Sequence, residues 1–394
     1  MSNSGISQRP YVHHRAFPLS TQDIYKEYSN VDFRLSFPGR KMIANSLRVE
    51  GRFNAYKANT SPPIETNRLA NTDYKSFYDP QIGVNACFQQ LTTSTQNQGQ
   101  LELLSEAPRL CKMINTSMAS QNDMGNSSNS SELKTRTLML ANRVLKGERF
   151  DNVADGSLPK NGMSFSSKPI CCLNMASAGL AQPQVKYTTT GDIMFTIQLA
   201  RNNAVFFGSD VSAAGSNVYN YTLSDLSISF SSVPDDAQPQ MPIDFHTSSN
   251  VRQTVQSTFS NVSVNESNLS NSVSCSFLRQ AEENSPDFNN TRLDKPPLVT
   301  NIEYLFNDST NKFLTFNLKS NQEIIERYLE SMSNSKVNHV QNVMNKAGEN
   351  YGIGIKFADY LDLSTNKFGV NITSSTLSND PYIIFLYFHG KVSI

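Results

Sequence analysis

The sequence predicts an all-β protein: two tandem antiparallel sandwiches with a few inserted helices. Apolar and polar residues alternate in short stretches along most of the 394 residues, which is the period of a half-buried strand. Helical periods are few, so the helix that a doubly wound α/β fold puts after nearly every strand is missing. VPDDAQPQMP, at 233–242, interrupts the pattern with three prolines, and proline cannot donate to a sheet ladder. The length suits two or three domains of about 100–200 residues.

Residues 1–30 read as an N-terminal arm. They are polar, contain Pro10 and Pro18 and show no sustained period. SLRVEGRFNAYK is a strand, with Leu47, Val49, Gly51, Phe53 and Ala55 on one side and a wet or inter-subunit face on the other. IGVNACFQQLTTST and GQLELLSE read as further strands. Leu110, Cys111 and Ile114 in APRLCKMINTSM have helical spacing, and ELKTRTLMLANRVLKG reads as a helix ending at Gly147. Strand patterns resume at MSFSSKPICCLNM, at GDIMFTIQLA and at YNYTLSDLSISFSSV. After the prolines come VRQTVQSTFSNVSV, SNSVSCSFL, PPLVTNIEYLFN and FLTFNLKS. NQEIIERYLESM is a helix with Ile324, Ile325, Tyr328, Leu329 and Met332 on one face, and KVNHVQNVMNKA continues it after a break. YGIGIKFADYLDL, FGVNITSS and YIIFLYFHGKVSI close the chain as strands. YIIFLYF suits burial on both faces, and its apolar excess over one core face points to subunit interfaces.

Composition narrows the function. The formal net charge is zero and 17% of residues are charged, without the basic excess of a bulk nucleic-acid binder. The N-terminus has no apolar signal region, and the five cysteines (Cys87, Cys111, Cys171, Cys172, Cys275) have no disulfide-framework spacing. Folding in a reducing compartment is expected.

Catalytic signatures are absent: no G-x-S-x-G, H-E-x-x-H, P-loop or Rossmann glycines. His13 and His14 are too few for zinc, which needs three or four convergent ligands. Cys171 and Cys172 sit in an apolar stretch read as a buried strand. DNVADG, at 151–156, lacks the ligand pattern of a calcium loop. No catalytic residue, metal or cofactor is expected.

One set of stretches carries a resemblance. FPG-x(6)-SLRVEG precedes FSSKPICCLNMASAGLAQPQ, then GDIMFTIQLARNNAVFFG and YTLSDLSISFSSV, and NYGIGIKFADYLDLSTNKFGVNITSS follows near the end. Over residues 33–394 this order resembles the double jelly-roll major capsid proteins of tailless icosahedral DNA viruses, the PRD1–adenovirus lineage with its polinton-like and virophage-like members. The resemblance implies a first jelly roll at 31–233 and a second at 243–394, after the arm at 1–30. It also implies a homotrimer forming pseudo-hexagonal capsomers, and loops at 115–160 and 280–300 that decorate the surface or lock neighbours. The implied partners are further copies, neighbouring capsomers, and penton and minor capsid proteins; the implied location is the virion, after synthesis in the host cytoplasm or nucleus.

The first twenty residues are basic and carry apolar anchors. Arg9, Tyr11, His13, His14, Arg15 and Phe17 are the expected inner-face contacts, toward a neighbouring subunit, an internal membrane or the genome. The arm is expected to be ordered only by neighbours, being too polar to bury itself. The alternatives are a penton or spike protein of the same virus type, and a β-sandwich carbohydrate-binding protein or enzyme.

Overall fold

In a computed structural model, the described residues are 11–57, 76–118, 130–135, 137–145, 162–176, 183–208, 219–236, 239, 242–255, 259–264, 269–294, 296, 299–306, 315–317, 321–332, 351–364, 367–374 and 381–394. The first half holds β1 (Val12–Ala16), β2 (Ile24–Tyr25), β3 (Asn30–Leu35), β4 (Arg40–Ile43), β5 (Arg48–Lys57), β6 (Phe77–Tyr78) and β7 (Phe88–Thr95). It continues with β8 (Gly99–Leu104), β9 (Met163–Ser167), β10 (Gln184–Lys186), β11 (Ile193–Leu199), β12 (Phe206–Phe207) and β13 (Tyr219–Pro234). One sheet runs β1-β13-β5-β9, with β2 and β4 also on β13 and β10 on β4; the other runs β3-β11-β7-β8. The second half holds β14 (Asp244–Val255), β15 (Phe259–Val264), β16 (Leu269–Arg279), β17 (Val299–Phe306), β18 (Thr315–Asn317), β19 (Ile353–Asp362), β20 (Phe368–Ser374) and β21 (Tyr382–Ser393). Its sheets run β14-β21-β16-β19 and β15-β20-β17-β18.

Set aside the short accessory strands β2, β4, β6, β10 and β12, and each half has eight. They lie in the order first-eighth-third-sixth in one sheet and second-seventh-fourth-fifth in the other, all antiparallel. This is jelly-roll order, and it occurs twice.

Alternation places the cores. Ile193, Phe195, Ile197 and Leu199 of β11 are buried while the residues between them are half-buried. They face Val49 and Phe53 of β5 and Leu223, Ile228 and Phe230 of β13 in one apolar cluster. The register of β13 against β5 slips between Ser224 and Ser227, with Asp225 at a φ of 51°. This bulge brings Leu226 over Gly51, where an added Cβ would lie 2.7 Å from Leu226 Cδ2.

In the second roll, β21 is buried on both faces. Ile384, Leu386 and Phe388 enter that roll's own core, whereas Ile383, Phe385 and Tyr387 join the cluster of the first roll. The apolar excess of YIIFLYF, expected at subunit interfaces, is thus taken up inside one chain. On the same sheet, Ser272 Oγ donates to the carbonyl of Ser331 at 2.7 Å, at the end of the helix α3 (Asn321–Ser331).

Several local expectations change. APRLCKMINTSM is the helix α1 (Ala107–Met118). The next helix, α2, spans Leu138–Leu145 and starts later than expected. Thr137 ends the preceding stretch, its Oγ1 accepting from Leu140 N at 3.4 Å, a helix-capping contact. Gly147, KVNHVQNVMNKA and DNVADG lie outside the described residues. Residues 83–87 form a 3-10 turn instead of the start of a strand. Cys171 and Cys172 stand at another such turn, Cys172–Asn174; both are fully buried all the same.

The N-terminal segment is corrected too. Residues 12–16 pair with Ser232 to Ile228 of their own chain and supply the first strand of the first roll. Backbone pairing needs no apolar side chains, so polarity did not keep the segment out. Arg9 lies outside the described residues.

Candidate functional site

The two rolls meet at a buried seam, and the seam has a charged lock. Asp79 follows β6 and Lys112 lies on α1; both are buried. Lys112 Nζ reaches Asp79 Oδ2 at 2.8 Å and Oδ1 at 3.1 Å. From the second roll, Asn289 Nδ2 and Thr291 Oγ1 donate to Oδ2 at 2.7 and 2.6 Å. Burial alone would raise the Asp79 carboxyl, but the Lys112 charge and these donors outweigh it and hold the group below its ordinary range. Arg109, one turn earlier on α1, donates through Nη1 to the carbonyl of Arg292 at 2.8 Å and through Nη2 to that of Asn290. Its guanidinium lies 4.1 Å from the centre of the Phe385 ring, a cation–π contact. The 280–300 loop, expected to decorate the surface or lock neighbours, here fastens one roll of the chain to the other.

A second buried carboxylate, Glu102 of β8, lies elsewhere on the seam. It accepts from Cys172 N at 2.7 Å and, from β14, from Thr247 Oγ1 and Ser248 N at 3.4 Å. Burial raises its carboxyl to about 7, against the lowering effect of those donors. Close by, Ala176 forms an isolated antiparallel bridge with Phe245.

A cleft of about 300 Å³ opens in the seam, with Tyr28, Gln89, Gln198, Arg109, Arg201 and Arg252 among its walls. Arg252 is held by Glu283 at 2.8 Å. No nucleophile–base pair lines it. The serine–histidine arrangement within the second roll is shut away: His389 is 2% exposed, between Ser248 Oγ at 3.0 Å and Ser274 Oγ at 2.7 Å. Burial, then the neighbouring His246, lowers its pKa to about 4. Both ring nitrogens are occupied, so this group satisfies a buried imidazole and has no opening to a substrate. All five cysteines are free and buried, and burial raises each thiol. Among the described residues no cluster of three or more His, Cys, Asp or Glu could hold a metal, and no helix is long and apolar enough to cross a membrane.

The expected arm contacts are spread over β1 and its flanks. His13 Nδ1 and Ser231 Oγ are 2.9 Å apart. His14 stacks on Phe230 at 4.8 Å and bonds Ser232 Oγ at 2.6 Å, which also accepts from Arg40 Nε. Arg15 donates to Glu50 and to Ser227, each at 2.9 Å. Tyr11 and Phe17 point outward at 62% and 65% exposure, and Leu19, Ile24 and Tyr28 are also exposed. Leu19 is held to β3 and Tyr28 to β11 through their backbone N–H groups. Sequence reasoning missed the seam.

No family model matches the sequence, and no curated protein matches it. Solved structures do match, over nearly the whole chain. The Faustovirus major capsid protein aligns with a TM-score of 0.54 at 9% identity, covering 98% of this chain and 90% of that one. The mavirus major capsid protein gives 0.52 at 10% identity, covering 97% and 90%. PBCV-1 VP54, fitted into a reconstruction of the virophage Sputnik, gives 0.56 at 10% identity, covering 98% and 95%. The chain has the double jelly-roll fold. At this identity the likeness shows the fold alone.

Proposed function

We propose that the chain is the major structural subunit of an icosahedral viral shell and not an enzyme. The observation that carries this reading is the repeated strand order: two jelly rolls fastened by a buried seam, in an arrangement that spans nearly the full length of solved major capsid proteins. In this reading the rolls are two domains divided at 233–242, and three copies associate into a pseudo-hexagonal capsomer. Capsomers meet one another and penton and minor capsid proteins in the virion, after synthesis in the host cytoplasm or nucleus. Tyr11, His13, His14, Arg15 and Phe17, with Arg9 before them, form the inner-face contact toward a neighbouring subunit, membrane or genome. The outward-facing Tyr11 and Phe17 support that contact, since aromatic residues are enriched at interfaces.

Native mass spectrometry and negative-stain imaging of the purified protein test the reading. Trimers that close into particles are expected. Pentamers would favour a penton or spike protein, and a stable monomer at micromolar concentration would overturn the assembly.

A further inference from the structure

We infer that the seam is a proton-operated joint, in which Glu102 is the latch and the Asp79–Lys112 lock is the pivot. The two carboxylates share burial and differ in partners. Asp79 has a cation and donors from both rolls. Glu102, 4% exposed, is met by neutral donors only: the short bond from Cys172 N and the Cys172 thiol in the first roll, and two 3.4 Å contacts from β14 in the second. Contacts that long are weak. A neutral carboxyl tolerates such a setting, whereas a buried carboxylate needs a counter-charge or strong donors.

The other groups around this corner do not supply one. Cys171 and Cys172 are thiols that burial and Glu102 itself keep protonated. Lys168, before the turn, acts on Cys171 and Glu132. His389, behind Ser248, is neutral near pH 7. Asp244 and His246 lie earlier on β14, and Asp244 is bonded to Ser393 and Lys391. Thr93, opposite Glu102 on β7, offers a neutral hydroxyl that lies against the Cys172 thiol.

The direction follows from linkage. Folding raises the Glu102 carboxyl from its ordinary 4.5 to about 7, so the closed seam holds the proton more tightly than an open one. Closure has its full advantage below about pH 4.5 and loses it as pH rises through about 7. Above that, the β8–β14 corner opens to water while the Asp79 end stays shut, because that carboxylate is already charged and paired. None of this depends on what the chain assembles into.

Hydrogen exchange of the full chain between about pH 5.5 and 8.5, corrected for intrinsic rates, tests it. Protection at residues 172 and 246–248 is expected to fall by up to about tenfold per pH unit as pH rises toward 7 and to level off above it, with residues 79–81 and 289–291 unchanged. Glu102→Gln should give a flat profile, and His246→Gln should keep the wild-type one. A flat wild-type profile, an unchanged slope in Glu102→Gln, or loss of the slope in His246→Gln overturns the inference. If Glu102→Gln does not fold, carbon-detected NMR of the wild-type carboxyl decides: a midpoint near 7 supports the latch and one near 4.5 overturns it.

Discussion

Lys112 donates to both carboxylate oxygens of Asp79, and the pair is buried where the two rolls meet. Replacing Lys112 by Met leaves a buried charge with neutral donors only. We expect a loss of about 3–5 kcal/mol, as when one partner of a buried pair is removed. Asp79→Asn with Lys112→Met should cost less than the two single changes added together, as read from urea unfolding. The Asp79 carboxyl is held below its ordinary 3.8. Its contribution is therefore present above that pH and is lost as pH falls through the lower folded value, so Asp79→Asn should flatten the acid limb.

Phe385 and Leu386 are neighbours on β21 that serve different cores. Truncating either to Ala should cost about 2–5 kcal/mol. The patterns should differ. Phe385→Ala removes the ring beneath Arg109 and should split thermal unfolding into two transitions by uncoupling the rolls. Leu386→Ala should lower the second roll's transition and leave the first in place. Calorimetry distinguishes them, and identical traces would refute the assignment of β21 to two cores.

Gly354 lies where α3 crosses the second roll. A Cβ there would come within 2.1 Å of Ser331 Oγ and 2.7 Å of Ser331 Cβ. Gly354→Ala should cost about 1–3 kcal/mol by overpacking, and Ser331→Gly in the same chain should recover part of it. Urea midpoints check both.

Acid should loosen β1 before the rest of its sheet. Burial, then Arg40 and His13, lowers the His14 pKa from 6.5. The stabilisation from neutral His14 is complete above 6.5 and is lost as pH falls through the lower folded value. Hydrogen exchange at residues 12–16 should speed up below that point in the wild type and less so in His14→Gln. Equal acid sensitivity in the two proteins would exclude His14 as the cause.

Periodicity made much of the fold legible. GDIMFTIQLA shows its burial in its spelling, and the helix α1 coincides with the stretch whose Leu110, Cys111 and Ile114 marked it. The strand VHHRA was not legible, because its place comes from backbone pairing to β13, with His14 stacked on Phe230. The seam was hidden for another reason. Asp79 meets Thr291 across 212 positions of sequence, and neither residue is unusual among its neighbours. Glu102 looked like an ordinary polar member of an alternating strand, since β14 covers it only once both rolls exist. The doubled apolar period of YIIFLYF was visible, but sequence could not say whether its second face met another subunit or another part of the same chain.

The strand order also sets a timetable for synthesis. In each roll the eighth strand lies between the first and the third, so no roll can complete its sheet until all eight have left the ribosome. The first roll is satisfied once β13 emerges, at residue 234. The second waits for β21, which also closes the seam. For about 150 residues of elongation, at roughly 5–20 residues per second, a finished roll would expose the apolar face later covered by Phe385 and Tyr387. That interval is when chaperones have something to bind. Nascent chains halted once β13 has cleared the ribosome should hold a protease-resistant first roll, whereas chains halted after residue 375 should still lack the second.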